Sequence, residues 1–196
     1  MSMRSQRCLL CLVLASIGLL LMNDTQPNAA DAAAPAAFER ALFGAGCFWG
    51  VQSSFAALAG VNDTVVGYGG GERANPSYEQ VCTEHTGHAE LVYLEFDPQQ
   101  ISYQQLLDHF FALHDPTTLN RQGPDLGSQY RSVIYYYSPE QQALATETIK
   151  RLQATPKYAK RPIVTAVQAF ENFYPAEEYH QHYFRKRGIA GGCHLP

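Results

Sequence analysis

The chain has 196 residues, enough for one domain with a substantial core and too few for two of ordinary size. Its 14 basic and 18 acidic residues give a net charge of −4 with no basic patch or stripe, which excludes the electrostatic footprint of a nucleic-acid binder. Aromatic residues make up 12%, tyrosine foremost, a composition suited to cavities that need both an apolar wall and a hydroxyl.

Residues 1–30 read as a targeting segment. Arg4 and Arg7 precede an uncharged apolar run from Cys8 to Met22. At about 15 residues the run is short of the roughly 20 that span a bilayer, so it resembles the apolar region of a secretory signal. Small residues around Ala30 suit cleavage, and an uncleaved N-terminal anchor is the alternative. Either way the chain is expected to be exported, to a bacterial periplasm or tethered to the membrane. Residues 31–37 form an Ala/Pro linker, and 38–196 are expected to be one domain. Outside the leader stand three cysteines, Cys47, Cys82 and Cys193. Exported proteins usually pair their cysteines, and an odd number leaves at least one thiol for chemistry or for an intermolecular partner.

The elements follow in chain order. Phe38 to Ala45 reads as a strand ending at Gly46. From Cys47 to Leu58, Phe48, Val51, Phe55 and Leu58 fall at helical spacing. Val61 to Tyr68 is rich in β-branched residues and runs into Gly69-Gly70-Gly71. Turn chemistry at Asn75-Pro76-Ser77 opens one or two helical turns through Cys82. Ala89 to Phe96 is a strand closed by Asp97-Pro98, and Ile101 to His114 an amphipathic helix. Asp115 to Gln129 is a long polar loop, and a loop of such length in a compact domain is usually functional. Tyr130 to Tyr137 is a strand, and Ser138-Pro139-Glu140 caps a helix to about Ala154. Ile163 to Phe170 is a last strand, Pro175 to Phe184 a short helix, and Gly188 to Pro196 a glycine-containing tail. The order β-α-β-β-α-β up to Tyr137 predicts an α+β fold. Its expected form is a mixed sheet with a split-βαβ, ferredoxin-like core, helices packed on the sheet and a long irregular C-terminal tail.

Cys47 leads the candidates for chemistry. It sits where a strand gives way to a helix, and unpaired N–H groups and the helix dipole favour an anion there. Phe48 and Trp49, the only tryptophan, follow it and can wall a small apolar pocket. Glu90 lies near the start of an apolar strand, on the face of Val92 and Leu94. If that face is buried, its pKa rises and it becomes a proton donor near neutrality. Tyr78, Tyr130 and Asp125 stand in turn-rich segments. Cys193, after Ala190-Gly191-Gly192, is a thiol on a tail that can swing, as a resolving cysteine must. The histidines His85, His88, His180, His182 and His194 fit no zinc spacing, so no metal is expected. The residues alone leave open a Cys/His hydrolase built on Cys47, and a ferredoxin-like module that binds a small ligand without turnover.

Gly46-Cys47-Phe48-Trp49-Gly50, Gly67-Tyr68-Gly69-Gly70-Gly71, Asn75-Pro76-Ser77-Tyr78-Glu79-Gln80-Val81-Cys82, Thr86-Gly87-His88-Ala89-Glu90, Asp125-Leu126-Gly127-Ser128-Gln129-Tyr130-Arg131-Ser132 and Tyr179-His180-Gln181 resemble, in order, the peptide methionine sulfoxide reductase A family. The resemblance implies that Cys47 attacks the sulfur of methionine S-sulfoxide while Glu90 protonates its oxygen. Tyr78 and Tyr130 would hydrogen-bond that oxygen, Phe48 and Trp49 would hold the methyl group, and Asp125 would be a second polar residue at the site. Cys47 would become a sulfenic acid and pair with Cys193. Many members carry two cysteines near the C-terminus where this chain has one, and Cys82, of no established role in the family, is expected to be buried and reduced. The implied substrates are free methionine sulfoxide and oxidised proteins. No bound cofactor is implied, electrons coming from a thioredoxin-like protein or, in vitro, from dithiothreitol. With no apolar stripe left over, a monomer is expected.

Overall fold

The computed structural model describes residues 38–189, so the leader, the linker and Cys193 lie outside the described residues. The elements are β1 (Glu39–Ala45), α1 (Phe48–Phe55), β2 (Val61–Gly69), α2 (Tyr78–Cys82), β3 (Ala89–Phe96), α3 (Tyr103–Leu113), β4 (Arg121–Gln122), β5 (Asp125–Leu126), β6 (Ser132–Tyr136), α4 (Pro139–Gln153), β7 (Ala166–Ala169), β8 (Phe173–Pro175) and α5 (Tyr183–Lys186). Six of the strands form one sheet in the order β7-β6-β1-β3-β2-β8. β1 and β2 both pair antiparallel with β3, which lies between them. That is the split βαβ the element order predicts, and the parallel pairing of β7 with β6 makes the sheet mixed.

Period two in the strands sorts the core into two faces. Phe43, Val66, Val92, Leu94 and Ile134 point to the side where Phe48, Val51 and Phe55 of α1 and Leu106, Leu107 and Phe110 of α3 pack. Phe43 is central, with its ring centroid 5.4 Å from Phe55 and 5.1 Å from Phe110. A smaller cluster of Leu42, Ala89, Leu91, Val133 and Tyr135 lines the opposite face. Helix starts follow local chemistry. Ser77 and Ser102 each make a capping box with the glutamine three residues on, and Ser138 caps α4 ahead of Pro139.

Three expectations need correction. The loop 115–129 contains a small hairpin, β4 with β5, tied down by Gln122, whose side chain both accepts from the Asp115 amide and donates to its carbonyl. The strand placed at Ile163 to Phe170 is only Ala166–Ala169. The largest error is Pro175 to Phe184, expected as a helix. Phe173–Pro175 is instead a strand on the edge of β2, and helix appears only at Tyr183–Lys186. Backbone pairing overrides the helical pattern because the following Gln181 side chain continues it. Its amide accepts from Val66 N at 3.0 Å and donates to Val66 O at 2.8 Å, as a further strand residue would. Gly67 permits this docking, since a Cβ there would lie 2.4 Å from the Tyr174 carbonyl.

Candidate active site

The site gathers where β1 ends and β3 begins. Gly46 turns the chain with φ +94, a conformation that glycine adopts freely, and places Cys47 as the N-cap residue of α1. Cys47 is half-buried. Its side chain does not cap the helix. The first amide of α1 is taken from elsewhere: Phe48 N–H donates to Glu90 Oε2 at 3.0 Å. Glu90 reaches it because the β3 register puts its side chain on the helix-covered face, as its spacing from Val92 and Leu94 predicts, and it is 2% exposed there.

Burial dominates the electrostatics of Glu90 and, helped by the nearby charge of Asp125 and opposed by the Phe48 amide that favours the charged form, raises its pKa to about 8. At neutral pH the group is therefore a carboxylic acid. With Oε2 accepting the amide of Phe48, the residue after Cys47, the acid keeps one O–H to donate. Burial also raises the hydroxyls of Tyr78 and Tyr130, Tyr78 being further raised by its hydrogen bond with Cys82 and Tyr130 by the charges of Glu90, Asp125 and Cys47. Both stay neutral donors. The site thus brings together Cys47, Phe48, Glu90, Tyr78, Tyr130 and Asp125, which sequence reasoning had picked out from four separate segments.

One of the site expectations changes. Cys82 is exposed rather than buried, because α2 is a short helix that turns only Val81 into the core. One face of the Trp49 ring is stacked on Tyr183 at 3.7 Å with planes 4° apart, and Arg187 lies 3.6 Å from the centre of the Tyr183 ring. Phe48 is 1% exposed, tilted against Tyr68 and edge-on to His180.

The residues that sequence reasoning missed lie between β8 and α5. Glu177 Oε1 accepts the Tyr78 amide at 2.9 Å and Oε2 accepts the Tyr68 hydroxyl at 2.9 Å. Tyr68 is the direct cross-strand partner of Glu90. His180, 1% exposed, accepts the Trp49 indole N–H on Nδ1 at 2.9 Å, and its ring contacts Phe48 and Tyr78. In the sequence His180 stands in the Tyr179-His180-Gln181 motif and among the histidines considered for metal, without a role at the site; among the described residues no group of three or more His, Cys, Asp and Glu side chains could hold a metal ion. Glu177 carried no signal of its own; only its position three residues before His180 hinted at a shared turn.

Comparison with known proteins identifies the family. Residues 39–196 match the family model described as peptide methionine sulfoxide reductase. A peptide methionine sulfoxide reductase MsrA from Acidobacterium capsulatum is 58% identical over 156 residues, covering 80% of this chain and 99% of the relative. The crystal structure of Mxr1 from Saccharomyces cerevisiae in reduced form superposes with a TM-score of 0.75 at 35% identity, over 83% of this chain and 94% of that one. The same yeast protein in complex with Trx2 matches with a TM-score of 0.55 at 26% identity, over 83% and 92%.

Proposed function

The chain belongs to the peptide methionine sulfoxide reductase family, an oxidoreductase acting on methionine sulfoxide, and from that premise we propose how its own residues carry out the reaction. Cys47 attacks the sulfoxide sulfur of free or peptidyl methionine S-sulfoxide. Glu90 gives its proton to the oxygen, which is a poor leaving group until protonated, while Tyr78 and Tyr130 donate hydrogen bonds to it. The substrate's S–O bond breaks, the released oxygen attacks the Cys47 sulfur, and the transient sulfur–sulfur bond to the substrate breaks, so that methionine leaves and Cys47 is a sulfenic acid. The thiol's proton restores Glu90, so the step balances without an external reductant. Phe48 and Trp49 hold the methyl group, and Asp125 keeps Glu90 protonated by repelling its charge.

The observation that carries this reading is the carboxyl of Glu90, 2% exposed and accepting the amide of the residue after the nucleophile. A hydrolase would need a base beside the sulfur rather than an acid. The test is reduction of the two epimers of methionine sulfoxide with dithiothreitol: the S epimer is converted and the R epimer is not. Equal conversion of both would refute the proposed geometry.

For the second half of the cycle, Cys193 condenses with the Cys47 sulfenic acid, releasing water and forming a disulfide that a thioredoxin-like dithiol reduces. The complex of the yeast neighbour Mxr1 with Trx2 supports such a partner. Cys193→Ser then completes about one turnover per Cys47 with thioredoxin and stalls; continued wild-type turnover would remove the resolver. Export by the leader, to repair proteins oxidised outside the cytoplasm, is part of the same proposal, and fractionation of cells expressing the full chain checks it.

A further inference from the structure

Two of the groups assigned above to substrate, Tyr78 and Trp49, come from different helices, and nothing in α1 or α2 alone fixes one relative to the other. Both lead to the same carboxylate. Glu177 Oε1 accepts the amide of Tyr78, the first residue of α2, and so fills one of the donors that a helix start leaves open. Glu177 Oε2 holds the Tyr68 hydroxyl at 2.9 Å and faces His180 Nε2 at 3.8 Å. At that distance it is not a hydrogen bond, and Nε2 has no hydrogen-bond partner among the described residues.

The tautomer of His180 follows from its other nitrogen. An indole N–H only donates, so Nδ1 must be bare to accept from Trp49. A neutral imidazole then carries its proton on Nε2, the nitrogen that faces Glu177. The negative carboxylate favours that proton on its own side. The ring so fixed is packed against Phe48, Trp49 and Tyr78 with centroids 5.1, 5.6 and 4.7 Å away.

We infer that Glu177 is a positioning residue for the sulfoxide pocket, setting Tyr78 directly through its amide and Trp49 indirectly through the tautomer of His180. Glu177 touches no reacting atom. This inference rests on the proposed roles of Tyr78 and Trp49, and it adds that one carboxylate on the C-terminal segment registers the oxygen-binding wall against the methyl-binding wall. Burial works against the charge of Glu177, but the amides of Tyr78 and of Glu177 itself, with the Tyr68 hydroxyl, outweigh it and hold the carboxyl below its ordinary range.

The test compares Glu177→Gln and Glu177→Ala with the wild-type full chain. Gln keeps one acceptor oxygen for the Tyr78 amide but puts an NH2 donor where the second oxygen stood; Ala keeps neither. Reduction of methionine S-sulfoxide with dithiothreitol gives kcat and KM separately, and Trp49, as the only tryptophan, reports its own wall by fluorescence. The expected result is a KM raised about tenfold in Ala and less in Gln, the scale of one lost hydrogen bond. Trp49 emission shifts in both variants, and the rate of Cys47 alkylation is unchanged. Wild-type KM and wild-type emission in both variants would overturn the inference. So would a loss confined to thermal stability with both readouts intact. Should Ala fail to fold, the Gln variant alone decides on the same two readouts. Failure of the reductase mechanism itself looks different, since the wild-type chain would then convert no S-sulfoxide at all.

Discussion

Two carboxylates in this molecule do the same structural job in opposite electrical states. Glu90, at the floor of the site, accepts the first amide of α1; Glu177, in the wall, accepts the first amide of α2. Glu90 is 2% exposed with that one amide as its donor and a second acid nearby, and it stays protonated up to about pH 8. Glu177 is half-buried with three donors and a histidine facing it, and it is charged. A helix N-terminus alone therefore does not decide the charge of the acid it meets. The balance of desolvation against the number of donors does, and in the proposed cycle the first outcome serves proton transfer and the second alignment.

The sharpest way to break this comparison is to remove the ionisable oxygen from each in turn. Glu90→Gln preserves the acceptor for the Phe48 amide but cannot donate a carboxylic proton. Loss of a positioned general acid costs about 10²–10⁴-fold, and the expected fall in kcat/KM for methionine S-sulfoxide lies in that range. Glu177→Gln costs much less. The check is steady-state reduction with dithiothreitol alongside iodoacetamide labelling of Cys47, which stays intact in both variants. Equal losses in the two would mean that Glu90, too, acts by alignment.

A second test reads the two states from stability. The folded pKa of Glu90 is raised above its unfolded value, so its contribution to stability is full below about pH 4.5 and is lost as the pH climbs through about 8. Glu177 is depressed, so its contribution is present above the unfolded pKa and is lost as the pH falls through the folded one. Thermal melts of wild type and Glu90→Gln from pH 4.5 to 9 should therefore diverge, the variant gaining on the wild type by a few kcal/mol at the alkaline end. Parallel melting curves would show that Glu90 is ionised in the fold at neutrality.

The floor and the side chains that line the pocket were legible in the sequence and the segment that backs the wall was not, for a physical reason. Cys47 and Glu90 sit in regular elements, where a strand-to-helix switch and period-two alternation announce the face each side chain occupies. The split βαβ was legible on the same ground. The wall is built by a segment whose structure depends on what it docks against: Phe173–Pro175 becomes a strand only by pairing with β2, and Glu177 gains meaning only once Tyr68, Tyr78 and His180 are around it. Cys82 was misplaced for a related reason, since a five-residue helix has too little periodicity to say which side faces out. The hairpin within 115–129 leaves no pattern in the sequence because its strands are two residues each and rest on Gln122 rather than on apolar spacing.

The smallest effect is also the most specific. Asp125, on β5 of that hairpin, raises the pKa of Glu90 through its charge, a smaller cause than burial. Asp125→Asn keeps the shape and removes the charge, so the pKa of Glu90 falls and the acid is lost at a lower pH. The rate near pH 6 should barely change, while the alkaline limb of kcat/KM moves towards acid by a fraction of a pH unit. A full pH profile of wild type and variant, measured with the S epimer and dithiothreitol, resolves the displacement. A limb that stays in place while the whole profile drops would mean that Asp125 contributes a hydrogen bond to substrate or hairpin rather than a field at Glu90. The state of the acid would then be set by burial alone, and the contrast with Glu177 would rest on solvent and donor number without help from the loop.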